Sequence, residues 1–280
     1  MIWNCPLCNS ELVIYDSCLK CSNNHSFDIA RQGYVNLLPV QKKHSKNPGD
    51  SQMMIQARNR FLQQGFYEPL AQAISEMVDD YFSEITESDQ PLTGLDLGGG
   101  DGYFSSYLNQ HQGTEKSNGK VTWWLSDISK EAVKLAAKRF PKTQTAVANS
   151  LDLPVVNQSV DCIFQAFAPA SDSESDRVLS ERGIWIRVYP GTQHLQEMRS
   201  IIFKDAQPHK PWPDPEGFER LAEKQLNFSL RVESEQNKQD LLAMTPMYWR
   251  SRPEDQALWL HSQNHDVTAN FVITCFKRHD

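Results

Sequence analysis

No run of apolar residues in this 280-residue chain approaches the roughly 20 that a membrane-spanning helix needs, so no helical span is expected. The opening stretch MIWNCPLCNSELVIYD has no basic n-region, apolar core or small-residue cleavage site, which makes the cytoplasm the expected compartment. Cysteine is scarce: six residues are too few for a disulfide scaffold, and a cytosol would keep them reduced. Excess positive charge is missing too, since 28 lysines and arginines face 35 aspartates and glutamates, for a formal net charge of −7. That average argues weakly against a nucleic-acid partner, because a phosphate-binding surface needs only a local field. The compact basic run is Gln41-Lys42-Lys43-His44-Ser45-Lys46, which on its own reads as a solvated loop.

What is present divides the chain into three parts. Residues 1–36 hold short β-like pieces (Leu12 to Tyr15, Tyr34 to Leu37) around cysteines and are too few to fold on a core of their own. Residues 37–88 start with a polar, basic loop broken by Pro48-Gly49. Two helices follow, one capped by Asp50 or Ser51 and ending near Gly65, the next beginning at Pro69. Residues 89–280 alternate apolar strands with helical segments. Strands are expected at Leu92–Leu97, Val121–Leu125, Gln144–Ala148, Val160–Phe167, Ile184–Val188, Asn227–Glu233 and Asn270–Lys277. Helices are expected at Gly102–Asn109, Lys130–Phe140, Ser173–Glu181, Leu195–Phe203, Pro215–Glu223 and Lys238–Leu242, with a polar surface loop over Gln110–Lys120. This alternation predicts an α/β protein with a mainly parallel, doubly wound sheet.

The sharpest chemistry lies in Leu95-Asp96-Leu97-Gly98-Gly99-Gly100-Asp101-Gly102-Tyr103, where an apolar strand ends in glycines and a helix begins. Glycines permit positive φ and let a ligand approach the backbone. A dinucleotide site would read G-x-G-x-x-G, but counting from Gly98 or Gly100 puts Tyr103 or Ser105 at the last position. The pattern that fits is D-x-G-x-G-x-G, written by Asp96, Gly98, Gly100 and Gly102. It resembles the first motif of the S-adenosylmethionine methyltransferases. A carboxylate at the strand end can hold that cofactor's cationic amino-acid end, and Asp127, after the second strand, can grip its ribose hydroxyls. Asn149, after the third strand, falls where adenine would lie.

Cys5-Pro6-Leu7-Cys8, with Cys21 and His25 further on, offers ligands suited to tetrahedral zinc. Cys18 pairs with Cys21 in a second C-x-x-C, so either Cys18 or His25 can be the fourth ligand. Residue types alone do not choose between them. The isolated Cys162 and Cys275 read as buried strand residues.

Taken together, the cysteine module, Gly33-Tyr34-Val35-Asn36-Leu37-Leu38-Pro39-Val40-Gln41, Pro48-Gly49-Asp50, Ala57-Arg58, Leu95-Asp96-Leu97-Gly98, Ala168-Pro169 and Met244-Thr245-Pro246 resemble the 23S ribosomal RNA (guanine-N1) methyltransferases over nearly the whole chain. The resemblance implies a seven-strand Rossmann-like methyltransferase sheet with a small N-terminal zinc-binding module. It implies S-adenosylmethionine and zinc as cofactors, with the metal on Cys5, Cys8, Cys21 and His25. Cofactor contacts fall on Tyr67, Gly100, Asp101 and His194. The implied partner is a stem-loop of 23S ribosomal RNA, contacted by Lys42, Lys43, Lys46, Arg58 and Arg60; a homodimer is left open. The family's Lys-Pro-Gly-Gly before the fifth strand is replaced here by Ser180-Glu181-Arg182-Gly183, and Gly99 stands where cysteine is frequent.

The expected reaction passes a methyl group to N1 of a guanine, whose proton must be accepted, and Asp172 and His194 hold that role provisionally. Two other readings compete: a small-molecule methyltransferase, and an RNA-binding adaptor that keeps the fold without turnover.

Overall fold

The structure, a computed structural model, describes residues 1–42, 48–85, 91–111 and 121–279. Strands β1 (Val13–Tyr15), β2 (Cys18–Lys20) and β3 (Ser26–Asp28) form a small antiparallel sheet, and β4 (Val35–Asn36) leaves it. Helix α1 (Gln52–Gln63) starts at Ser51, whose hydroxyl accepts from the Met54 amide at 3.3 Å. It buries Met54, Ile55, Ala57, Phe61 and Leu62 at helical spacing. Gly65, at φ +79°, breaks the chain before α2 (Glu68–Ile85).

The main sheet then builds from β5 (Leu92–Leu97), α3 (Tyr103–His111), β6 (Val121–Asp127), α4 (Lys130–Ala136), β7 (Thr145–Val147), β8 (Val160–Ala166), α5 (Asp172–Val178) and β9 (Leu179–Pro190). It closes with α6 (Gln196–Ile202), β10 (Phe218–Arg231), α7 (Glu235–Ala243), α8 (Met247–Arg250), α9 (Pro253–Leu260) and β11 (Asp266–Arg278). Strand order is β10-β11-β9-β8-β5-β6-β7-β4. The seven expected strands are all there, and β4 adds an eighth at the edge, parallel to β7. Neighbours from β9 to β4 run parallel, whereas β11 is antiparallel to both β9 and β10. The chain moves outward from β5 through β6 and β7, then crosses back to β8. The ends of β5 and β8 therefore flank the point where strand order reverses, which is where open α/β sheets bind ligands.

Residues 218–223 correct the sequence expectation. The helix expected over Pro215–Glu223 is instead the first half of β10, which pairs with β11 from Phe218 to Arg231. Phe218 is buried here while Leu221 is exposed, so the segment has no apolar helical face to bury, whereas pairing satisfies its backbone and sets Glu219 against Lys277 at 2.7 Å. Its charged side chains suit a sheet edge.

Apolar residues pack on both faces of the sheet. One face meets α1 to α4, α6, α7 and α9 through residues such as Phe61, Ile74, Leu108, Val133, Met198, Leu241 and Trp259. The other meets α5 and the N-terminal module, where Trp3, Leu12 and Leu19 share a cluster with Leu95, Leu97 and Trp124. Trp3 is fully buried, sits edge-on to Trp124 at 5.6 Å and donates its indole N–H to the Thr143 carbonyl at 2.7 Å. The module is thereby anchored in the same core as the sheet.

Candidate functional site

The ligand atoms of Cys5, Cys8, Cys21 and His25 all lie within 4.8 Å of one another. The Cys8 and Cys21 sulfurs are 3.7 Å apart, and His25 Nδ1 is 3.4 Å from the sulfurs of both Cys5 and Cys21. Zinc–sulfur bonds of about 2.3 Å at tetrahedral angles put sulfurs about 3.8 Å apart, so the donor set fits that ion. Cys18 turns away, its thiol directed to the Tyr15 carbonyl at 3.2 Å. The geometry selects His25 over Cys18.

At the end of β5, Gly98, Gly100 and Gly102 take φ values of +70°, +58° and +75°. A Cβ on Gly98 would come 2.4 Å from that of Ala168, and one on Gly99 would come 2.5 Å from the Asp96 carboxyl carbon. The turn is therefore a cradle closed to side chains from beneath. Asp127 holds it from the next strand: one oxygen accepts from the Gly100 amide at 2.9 Å, the other from Ser129 at 2.7 Å. Burial raises the Asp127 carboxyl above its ordinary range, against those two backbone bonds. Asp101 is 2 % exposed and accepts from Asn59 at 2.5 Å and Arg139 at 3.3 Å, which ties the turn to α1.

Asp96 lies under the turn, 1 % exposed, and accepts from the Ser105 hydroxyl at 2.5 Å. Its carboxylate supports the bend from below, whereas the sequence reading aimed it at the cofactor. Burial, working against the Ser105 bond, pushes its carboxyl up to about 7. A carboxyl protonated more readily folded than unfolded (about 3.9 when free) stabilises the fold at low pH, and that advantage is lost as pH rises through about 7. Asp96→Asn keeps the shape without the charge. Between pH 4 and 8 it is expected to lose less stability than the parent. Paired melting curves check this, and parallel curves would refute it.

Arg58 reaches the same place. Its guanidinium bonds Asp50 at 2.6 Å and the Met244 carbonyl at 3.2 Å, and one nitrogen is 3.7 Å from where a Gly100 Cβ would be. Expected as an RNA contact, it stands over the glycine turn. The Pro48-Gly49-Asp50 loop packs on the end of β6, with the Asp50 carbonyl accepting from the Ser129 hydroxyl at 3.2 Å.

Tyr67 is buried edge-on to Phe271 at 5.0 Å, and His194 lies 4.6 Å from the same ring. Burial, then the charges of His209 and Arg199, hold the His194 imidazole down at about 3, so it is neutral. Its Nδ1 accepts from the Asn270 amide at 3.3 Å, which leaves the proton on Nε2. His194 is a donor and has no spare basic nitrogen. Asp172 lies across the sheet, accepting from the Glu216 amide at 2.9 Å and within Coulombic reach of Arg187. The two provisional proton acceptors are not brought together.

Asn149 accepts from Leu151 at 3.0 Å within its own turn beyond β7. Lys42 pairs with Asp152 at 2.6 Å, and Arg60 with the buried Asp240 at 2.6 Å, so both cations are engaged within the chain. Lys43 and Lys46 lie outside the described residues, as does most of the expected Gln110–Lys120 loop. Sequence reasoning missed Asn59, Ser105 and Arg139, since ordinary polar residues at those positions carry no motif.

Comparison with known proteins bears on the same two regions. The family described as RlmA, N-terminal, matches residues 3–46, and the one described as Methyltransferase domain matches residues 95–183. The 23S rRNA (guanine(748)-N(1))-methyltransferase of Streptomyces fradiae is 30% identical over 96% of this chain and 94% of its own. A Bacillus subtilis (strain 168) protein provisionally named a 23S rRNA (guanine-N(1)-)-methyltransferase is 28% identical over 97% of this chain and 95% of its own. Among solved structures, geranyl diphosphate C-methyltransferase from Streptomyces coelicolor A3(2) aligns over 74% of this chain and 76% of its own, with a TM-score of 0.39 and 12% identity, too low to carry an argument.

Proposed function

The chain belongs to the family of 23S ribosomal RNA (guanine-N1)-methyltransferases, and from that premise we propose that it transfers a methyl group from S-adenosylmethionine to N1 of a guanine in a stem-loop of 23S ribosomal RNA. The observation that carries this reading is the glycine cradle at the reversal of strand order, roofed by Arg58 and flanked by Asp127. Bound there, the sulfonium cofactor supplies an electrophilic methyl group.

The chain's own task is alignment. Holding two reactants in line can account for much of a methyl transfer's acceleration. Asp127 keeps unused lone pairs on both oxygens for ribose hydroxyls, because each accepts one backbone N–H. Arg58 puts positive charge where the carboxylate end of the methionine portion would lie, and Asp50 holds it in place. Tyr67, Phe271 and His194 form a buried cluster of rings on the helix-covered side of the sheet, which in this reading backs the cofactor site. The proton leaving guanine N1 must pass to a group other than His194, whose Nδ1 is engaged.

Phosphate contact by the loop that starts at Lys42 is part of this proposal. Lys42 also donates to the Pro6 carbonyl at 3.4 Å, which sets the loop's start beside the zinc module. No described helix is long and apolar enough to cross a membrane; a cytoplasmic location is part of this proposal, supported by the proposed ribosomal RNA substrate.

The test uses purified protein, S-adenosylmethionine and 23S ribosomal RNA from cells lacking the gene. A methyl on N1 blocks the base-pairing edge, so reverse transcription is expected to halt at one new position. RNA that stays unmodified while calorimetry registers bound cofactor would remove the substrate assignment.

A further inference from the structure

Phe167, the residue after β8, has φ +57°, a left-handed conformation rare for a bulky side chain. Such outliers persist only where their surroundings hold them, and they concentrate at functional sites. Here the surroundings are plain. The Phe167 amide still bonds the Val188 carbonyl at 3.0 Å, as a continuing strand would. Behind it, the Gln165 side-chain amide donates to the Ala168 carbonyl and fixes the turn. Ala168 in turn rests against Gly98 of the cradle.

The conformation has a consequence for where the ring goes. Along β8, Cys162, Phe164 and Ala166 face the helix-covered side, and Ile163 faces the zinc-module side. Simple alternation would send Phe167 to the zinc-module side. Its ring is found instead against Phe271, centroids 5.6 Å apart, beside the rings of Tyr67 and His194. Despite that contact the residue is 42% exposed, and it lies next in sequence to Ala168, which abuts Gly98 of the cradle. The left-handed turn thus carries the ring to the cradle side of the sheet without burying it.

We propose that Phe167 is the platform on which the target guanine stacks, holding the flipped base beside the cradle with its N1 edge toward the methyl donor. This rests on the guanine-N1 reading above and names the residue that receives the base. Base–aromatic stacking tolerates any planar base, so Phe167 supplies position, with selectivity coming from other groups.

Methyl-transfer kinetics on 23S ribosomal RNA from cells lacking the gene test this with the full chain. Phe167→Ala is expected to lower kcat/KM for RNA by about 10- to 100-fold, the range that base stacking on an aromatic ring supports. Cofactor affinity by calorimetry should stay within about twofold, and Phe167→Tyr and Phe167→Trp should restore most of the rate. Phe167→Gly separates platform from strain, because glycine accepts the left-handed backbone. It should fold at least as stably as Phe167→Ala and be equally slow. If the parent methylates the RNA and the alanine and glycine variants match it, this proposal fails while the guanine-N1 reading stands. If the parent itself leaves the RNA unmodified, both fail together.

Discussion

Gly98→Ala is expected to weaken cofactor binding strongly while leaving the chain folded. Two costs coincide at this position. The backbone is at φ +70°, which costs an L-residue roughly 1–2 kcal/mol. The new methyl would also lie 2.4 Å from the Ala168 Cβ, a distance real contacts do not reach, so the β8 turn must move. Because that turn and the cradle define the two sides of the crevice, a shift of about 1 Å is enough to cost on the order of 100-fold in rate. Gly217 supplies the control. It has φ +84° but nothing within 4 Å of its would-be Cβ, so Gly217→Ala carries the conformational cost alone. Calorimetry should find cofactor affinity intact in Gly217→Ala and clearly weakened in Gly98→Ala, where strain and the clash with Ala168 coincide. Parental affinity in Gly98→Ala would mean that the cradle does not seat the cofactor.

Loss of zinc is expected to destabilise the whole chain, beyond its first few dozen residues. Structural zinc contributes about 10–16 kcal/mol of apparent binding free energy in small zinc peptides, and folding of such modules depends on it. Here the metal knuckles present Trp3, Leu12 and Leu19 to Leu95, Leu97 and Trp124, and β4 continues into the sheet beside β7. Cys21→Ala should therefore drop the bound metal from one equivalent to none, lower the melting temperature steeply and change the emission of Trp3 and Trp124. Cys18→Ser should keep one equivalent, since its sulfur faces the Tyr15 carbonyl. Metal analysis and melting curves on both variants check this. Zinc lost by Cys18→Ser would reverse the choice of His25 over Cys18.

The parts of this molecule that could be read from sequence are those where one residue type is physically required. The cradle was legible because positive φ and close packing demand glycine, and the strand before it, Leu92–Leu97, is found with those bounds. The zinc cluster was legible because thiolates at that density in a reducing setting have few other uses, but Cys18 and His25 are equally good ligands on paper. The directions of the two side chains separate them: His25 faces the Cys5 and Cys21 sulfurs, and the Cys18 thiol faces the Tyr15 carbonyl. Residues 218–223 were misread because their fate depends on β11, more than 40 positions away, and local spacing carries no trace of that pairing. Arg58 and Arg60 illustrate the same limit. As charges in a sequence they are interchangeable RNA contacts, yet one roofs the cradle and the other is held by buried Asp240. Phe167 gave no signal at all, since its distinction is a backbone angle.

Nucleoside mass spectrometry of 23S ribosomal RNA from cells with and without the gene tests the central assignment most directly. N1-methylguanosine should disappear on deletion, return with the parent gene and stay absent with the gene carrying Gly98→Ala. An unchanged N1-methylguanosine content after deletion, or a loss of methyl from some other atom, would contradict it.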